Sequence, residues 1–111
     1  MKSILLRYFN PVGAHISGKI GEQPLQRPTN LIPIITQTAI GKLKETSVWG
    51  SDYNTPDGTC IRDYVHVDEL GAAHLRALEL LTPGKAVKLN LGTGHGHSVR
   101  EVIEMCRHVT G

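Results

Sequence analysis

Residues 86–106 read AVKLNLGTGHGHSVREVIEMC, and a change of period inside this stretch decides the fold class. AVKLNL (86–91) is a short β-favouring run. Gly92, Gly94 and Gly96 interrupt it. From Ser98 onward Val99, Val102, Ile103, Cys106 and Val109 recur at helical spacing, with Ser98 and Glu101 placed as a capping box and Gly111 as a stop. Strand, glycine turn and helix in sequence are the unit of an α/β layer, and the apolar stripe puts Cys106 in the core.

Working outward, SILLRYF (3–9) is a strand ending at Asn10-Pro11, and the Gly- and Pro-rich residues 10–29 form a long loop. Leu31, Ile34, Ile35, Thr38, Ile40 and Leu43 predict a helix over 31–43, with Asn30 as its cap and Pro33 tolerated in the first turn. TSVWG (46–50) is strand-like, SDYNTPDGT is turn-rich, and IRDYVHV (61–67) is a second β-favouring run. Asp68 or Glu69 then starts a helix whose stripe is Leu70, Ala73, Ala77, Leu78 and Leu81, stopped by Pro83-Gly84. Strands alternating with helices imply an α/β architecture with some parallel pairing.

The 111 residues are 40% hydrophobic and 20% charged, with a net charge of +2, the profile of one ordinary soluble domain. No basic run is present, so neither nucleic acid nor a membrane surface is expected as a partner. The N-terminal apolar stretch is broken at Arg7 and is not expected to act as a signal peptide, no window approaches a transmembrane span, and the expected location is cytoplasmic. Cys60 and Cys106 lack the spacing of a zinc site or a disulfide framework and are expected to be reduced.

NLGTGHGHS (90–98) invites a dinucleotide cradle, but that fingerprint needs a third glycine where His97 stands. A tight strand-to-helix turn is the better reading. His95 and His97 make at most half a metal site, and His74 lies on a helix flank, so no metal is expected. A tyrosine base is commonly helped by a lysine four residues later. Tyr8, Tyr53 and Tyr64 are followed there by Val12, Asp57 and Asp68, and no catalytic residue is assigned.

There remain polar residues at strand ends: Tyr8, Asn10, Asn30, Arg62, Asp63 and Tyr64. Ligands of open α/β sheets lie beyond the carboxyl ends of the strands, where Asn10 stands, although an Asn-Pro turn accounts for the same residue. Arg62, flanked by Ile61 and Val65 on a β run, reads as a half-buried charge in need of an anion. Asp63 or Asp68 can supply it internally; a diphosphate is the alternative.

LRYFNPVGAH, NLIP, VWGSDYNTPDGTCIRDYVHV and LNLGTGHGHSV, in this order, resemble the UDP-glucose 4-epimerase (UDP-galactose 4-epimerase) family of the extended short-chain dehydrogenase/reductase superfamily. The resemblance runs from Ile4 to Gly111. It implies a Rossmann-like fold represented by its substrate-binding portion, residues 1–111 forming one partial domain with the NAD-binding portion missing upstream. By this match Tyr8 lies near the nicotinamide of NAD and Asn10 contacts the UDP-sugar. Asn30 and Leu31 border the nucleotide, Ser47, Val48 and Trp49 hold the uracil through their main chain, Arg62 grips the diphosphate, and Tyr64 lines the pocket. Thr29, Trp49, Cys60 and the pair Asp68-Glu69 depart from the family pattern.

The implied activity is NAD-dependent interconversion of UDP-glucose and UDP-galactose in galactose metabolism, commonly by homodimers. This chain, as an internal fragment, is expected to bind no NAD tightly and not to catalyse alone. A different nucleotide-sugar epimerase or decarboxylase of the superfamily is one alternative. A non-catalytic UDP-binding module or a functionless truncated product is the other.

Overall fold

The computed structural model describes residues 2–111. Its elements are β1 (Ser3–Tyr8), β2 (Asn10–Val12), α1 (Leu31–Ala39), β3 (Ile61–Arg62), β4 (Tyr64–His66), α2 (Val67–Glu79), β5 (Ala86–Leu91), β6 (His97–Ser98) and α3 (Val99–Thr110). They form two compact units, one made of the chain up to Gly21 together with Asp63–His95, the other of Glu22–Arg62 and Gly96–Gly111.

In the first unit β1 and β5 run parallel, in register from Ser3 opposite Ala86 to Tyr8 opposite Leu91. The chain then changes partner. The Phe9 N–H still bonds to the Leu91 carbonyl (2.9 Å), but the Asn10 N–H bonds to the Asp63 carbonyl (3.1 Å), and β2 pairs in parallel with β4, Asn10 opposite Tyr64 and Val12 opposite His66. The N-terminal part of the expected long loop is therefore a short strand. Val65 and Ala77 are the buried apolar residues of this unit.

Helix α2 starts earlier than the expected Asp68 or Glu69. His66 is the N-cap: its Nδ1 accepts from the Asp68 N–H (3.2 Å), while Glu69 Oε2 accepts from the His66 N–H (3.3 Å). An imidazole nitrogen performs the acceptor's part usually taken by Ser or Asp, and the two carboxylates fall in the first turn, where the helix end is positive. The helix also ends short of Leu81, because the Leu80 and Leu81 N–H groups bond back three residues, to Ala77 and Leu78. Of the expected stripe Ala77 is buried, Leu70, Ala73 and Leu81 are half-buried, and Leu78 is exposed.

In the second unit α1 stops four residues before the expected Leu43. Gly41 takes φ +73°, a conformation open to glycine, and the Lys42 and Leu43 N–H groups both return to the Gln37 carbonyl (2.8 and 3.1 Å). Asn30 occupies the N-cap position without a side-chain cap bond; its Nδ2 donates instead to Glu22 Oε1 (3.3 Å). The expected strand at 46–50 is absent, since no described segment pairs with it. The expected single strand at 61–67 is divided at Asp63, with β3 pairing antiparallel to β6, Ile61 opposite Ser98 and Arg62 opposite His97.

The capping box of α3 forms as expected: the Glu101 N–H bonds to Ser98 Oγ (3.1 Å) and the Ser98 N–H to Glu101 Oε2 (2.8 Å). Cys106 is half-buried rather than in the core. With Ile35, Val48 and Ile103 it lines a groove of about 370 Å³ on the α1 and α3 side of this unit. Among the described residues no helix is long and apolar enough to cross a membrane, and no cluster of three metal-ligating side chains exists.

Candidate functional site

In the first unit the residues of interest follow from the change of strand partner. Tyr8 ends β1 and is 56% exposed. Asn10 opens β2 opposite Tyr64, and both are half-buried. The Asn10 side chain donates through Nδ2 to the Asp63 carbonyl (2.9 Å), which also accepts the Asn10 N–H. The expected Asn-Pro turn is therefore not formed: Asn10 and Pro11 lie in β2, and the Asn10 carboxamide reinforces the pairing of that strand with the segment at Asp63.

Asp63 is the centre of this arrangement. Its Oδ1 accepts from the Thr93 N–H and from the Thr93 hydroxyl (2.9 Å each), and its Oδ2 accepts from the Gly94 N–H (2.9 Å). The Thr93 amide above all, then the Thr93 hydroxyl, the Gly94 amide and nearby His95, hold the carboxyl below the usual carboxylate range against a partial desolvation. Gly92 permits the approach: a Cβ there would lie 2.6 Å from Asp63 Oδ2 and would overlap the Phe9 ring.

These bonds settle the reading of the glycine-rich loop. The Thr93 and Gly94 N–H groups that a dinucleotide cradle would aim at a pyrophosphate point at a carboxylate of the chain itself. The loop does not fit NAD and is the strand-to-helix turn expected from the sequence.

In the second unit Arg62 is exposed, not half-buried as its flanking residues suggest, because β3 is only two residues long and covered by neither face. Its Nη1 donates to the neighbouring Ile61 carbonyl (2.9 Å). Among the described residues no carboxylate lies within ion-pair distance of it, so the internal partners Asp63 and Asp68 do not serve. Asp63 is committed to the 93–94 turn, and Asp68 lies 3.7 Å from His66 Nδ1.

The start of β3 is anchored by contacts that the sequence does not announce. Asp57 accepts from the Thr59 N–H (2.8 Å), the Thr59 hydroxyl (2.7 Å) and the Ser98 hydroxyl. Thr59 Oγ1 accepts the Arg100 N–H (3.3 Å), and the Cys60 carbonyl accepts the Val99 N–H (3.1 Å). Thr59 and Ser98 are buried, at 2% and 4% exposure. The Ser98 hydroxyl first, then the two Thr59 donors, lower the Asp57 carboxyl from 3.8 to about 2. The signal for this knot was the Asp-Gly-Thr of an Asx turn.

Asn30 is exposed and Leu31 half-buried at the start of α1. Ser47, Val48 and Trp49 are exposed, Trp49 by 85%, and belong to no ladder. The structure therefore groups Tyr8, Asn10 and Tyr64 in one unit, and Asn30, Leu31, Ser47, Val48, Trp49 and Arg62 in the other.

The model of the NAD dependent epimerase/dehydratase family matches residues 1–92. The chain belongs to this family. A UDP-glucose 4-epimerase of Yersinia enterocolitica is 57% identical over 106 residues, covering 96% of this chain and 31% of that protein. The crystal structure of a UDP-glucose 4-epimerase from Bifidobacterium longum in complex with NAD+ and UDP is 52% identical with a TM-score of 0.87, over 91% of this chain and 30% of that one. A second, from Stenotrophomonas maltophila with bound NAD and formylated UDP-arabinopyranose, is 54% identical with a TM-score of 0.86, again over 91% and 30%. The chain thus spans about a third of the length of the relatives it matches. Its α/β class and its kinship with UDP-glucose 4-epimerases are as the sequence motifs imply.

Proposed function

We propose that this chain forms the nucleotide-sugar-holding portion of a UDP-glucose 4-epimerase. The likeness to relatives of that name over nearly its whole length supports the reading. The observation that carries it is Arg62, an exposed guanidinium at a strand end with no carboxylate partner among the described residues. Its planar fork matches the bidentate geometry of a diphosphate, and the Asp57–Thr59–Ser98 knot fixes the backbone from which it projects.

The other roles follow the resemblance. Asn10 is assigned to the sugar, Asn30 and Leu31 to the border of the nucleotide, Tyr64 to the pocket wall, and the main chain of Ser47, Val48 and Trp49 to the uracil. The main-chain groups of 46–50 belong to no ladder and residues 47–50 are exposed, so their donors and acceptors are open to a base edge in place of water. Tyr8 is the residue assigned to the border of the cofactor. NAD in the complete protein supplies the hydride exchange at C4; the residues of this chain bind and orient the substrate. Homodimer assembly and a cytoplasmic location belong to the same proposal.

A second reading concerns the sugar. The Stenotrophomonas relative holds formylated UDP-arabinopyranose, so a pocket of this kind is compatible with a pentose derivative, the uridine diphosphate being common to both. Calorimetric titration of the chain with UDP, UDP-glucose, UDP-galactose and UDP-arabinopyranose tests both readings. Binding of UDP is expected, with the hexose sugars binding more tightly than the pentose. A folded chain that binds none of the four overturns the proposal. In a coupled assay the chain alone is expected to give no turnover above a no-protein control.

A further inference from the structure

We propose that Asp63 is the positioning residue of the first unit, holding Asn10 and Tyr64 in the geometry in which they meet a ligand. That the ligand is a UDP-sugar rests on the function proposed above; the positioning itself is a property of this chain.

Asp63 ties together three segments distant in sequence. Its main-chain carbonyl receives both the N–H and the side-chain Nδ2 of Asn10, so the orientation of the Asn10 carboxamide is set by the backbone position of residue 63. That backbone position is in turn fixed by the carboxylate, which takes three donors from Thr93 and Gly94. Tyr64 is the next residue along and lies opposite Asn10 in the β2–β4 pair. A two-pronged carbonyl contact on one side and a three-pronged carboxylate contact on the other leave residue 63 little freedom.

Two further features belong to the same device. Gly92 has no side chain where the Phe9 ring and Asp63 Oδ2 crowd in, so Phe9, the residue at which the chain leaves β5 for β4, packs where the carboxylate is tied. The Thr93 hydroxyl, besides donating to Asp63, accepts the His95 N–H (3.1 Å), which closes the turn on itself. An interaction that served the turn alone would need no doubled contact to Asn10.

Nuclear magnetic resonance on the ligand-free chain tests the positioning. Asp63→Asn replaces one acceptor oxygen by a donor that faces N–H groups. At least a tenfold loss of exchange protection is expected at the Thr93 and Gly94 amides, with displacement of the Asn10 side-chain and Tyr64 backbone resonances. Loss of protection at Thr93 and Gly94 with Asn10 and Tyr64 unmoved overturns the proposal. Should Asp63→Asn fail to fold, Thr93→Val, which removes one donor, and Thr93→Ser, which keeps it, provide the comparison: the Asn10 signal moves in the first and is restored in the second. Acid titration of the unmodified chain adds a readout that general packing would not move, since the Asn10 side-chain resonance should follow protonation of Asp63; a flat response overturns the proposal. Titration with UDP separates the two levels. No binding by the unmodified chain counts against the proposed function and leaves the ligand-free result to decide on Asp63, whereas UDP binding at least tenfold weaker in Asp63→Asn extends the positioning to the ligand.

Discussion

Asp57 and Asp63 receive nearly the same donors, the N–H and hydroxyl of one threonine and one further group. Asp57 takes them from Thr59, two residues away, and from buried Ser98. Asp63 takes them from Thr93 and Gly94, thirty residues on and exposed. The first arrangement is a local Asx turn locked by the cap of a helix; the second is a long-range tie whose loss frees a loop. One carboxylate chemistry therefore serves two ends: around Asp57 it stabilises the fold, around Asp63 it sets the position of neighbours.

The glycines beside the two aspartates offer the strongest way to break this comparison. Gly58 has φ +76° and its missing Cβ would meet the Ser51 carbonyl, which is backbone. Gly58→Ala is expected to cost about 3 kcal/mol in urea unfolding, since neither the left-handed conformation nor a main-chain neighbour can give way. Gly92→Ala meets side chains, the Phe9 ring and Asp63 Oδ2, which can turn aside. Its expected cost is about 1 to 2 kcal/mol, with displaced Thr93 and Gly94 resonances. An equal cost at both sites would show that the two regions are equally rigid.

Binding and stability should also separate. Arg62→Ala is expected to weaken UDP binding by about 2 kcal/mol, roughly thirtyfold in Kd, the low end for losing one partner of a charge pair because Arg62 is exposed. Arg62→Lys should recover part of this, an ammonium lacking the guanidinium fork. The melting temperature should stay within a degree or so, as Arg62 has no internal carboxylate to abandon among the described residues. A fall in melting temperature with UDP affinity intact would remove Arg62 from the site. Ser98→Ala should show the opposite balance, costing about 1 kcal/mol of stability through the lost helix cap and weakening UDP binding in the folded fraction less than Arg62→Ala does, since it loosens the support of Arg62 without removing the guanidinium.

What was legible in the sequence divides along the same line as the aspartates. The Ser98–Glu101 box, β1 and β5 were readable because cap spacing and β-favouring runs are local. The cap of α2 was misplaced because His66 is an uncommon acceptor and two acidic residues stood next to it. The 46–50 stretch has β-favouring residues, but a strand also needs a partner, and propensity does not supply one. The Asp-Gly-Thr turn was visible as a turn, yet nothing in it foretells Ser98, 41 residues on. In the sequence Asp63 reads as a polar residue at a strand end and as a partner for Arg62. That its carboxylate reaches Thr93 depends on tertiary placement, as does the exposure of Arg62.

The smallest expected effect distinguishes the two carboxylates most finely. Both are held below the usual range by hydrogen bonds to their charged form, Asp57 down to about 2 and Asp63 to a lesser degree. A carboxyl whose folded pKa is depressed contributes stability above its unfolded value, near 3.8, and that contribution is lost as pH falls through the folded pKa. On acidification below about pH 4 the Asp63 ties should therefore release first, while those of Asp57 persist until about pH 2. Resonances of Thr93 and Gly94 report the first event and that of Thr59 the second. Partial exposure of both carboxylates and solvent screening keep the effect on overall stability small, so the order of midpoints is the observable. A Thr59 midpoint at or above that of Thr93 would show that the buried hydroxyls of Thr59 and Ser98 hold their carboxylate no more firmly than an exposed turn holds Asp63.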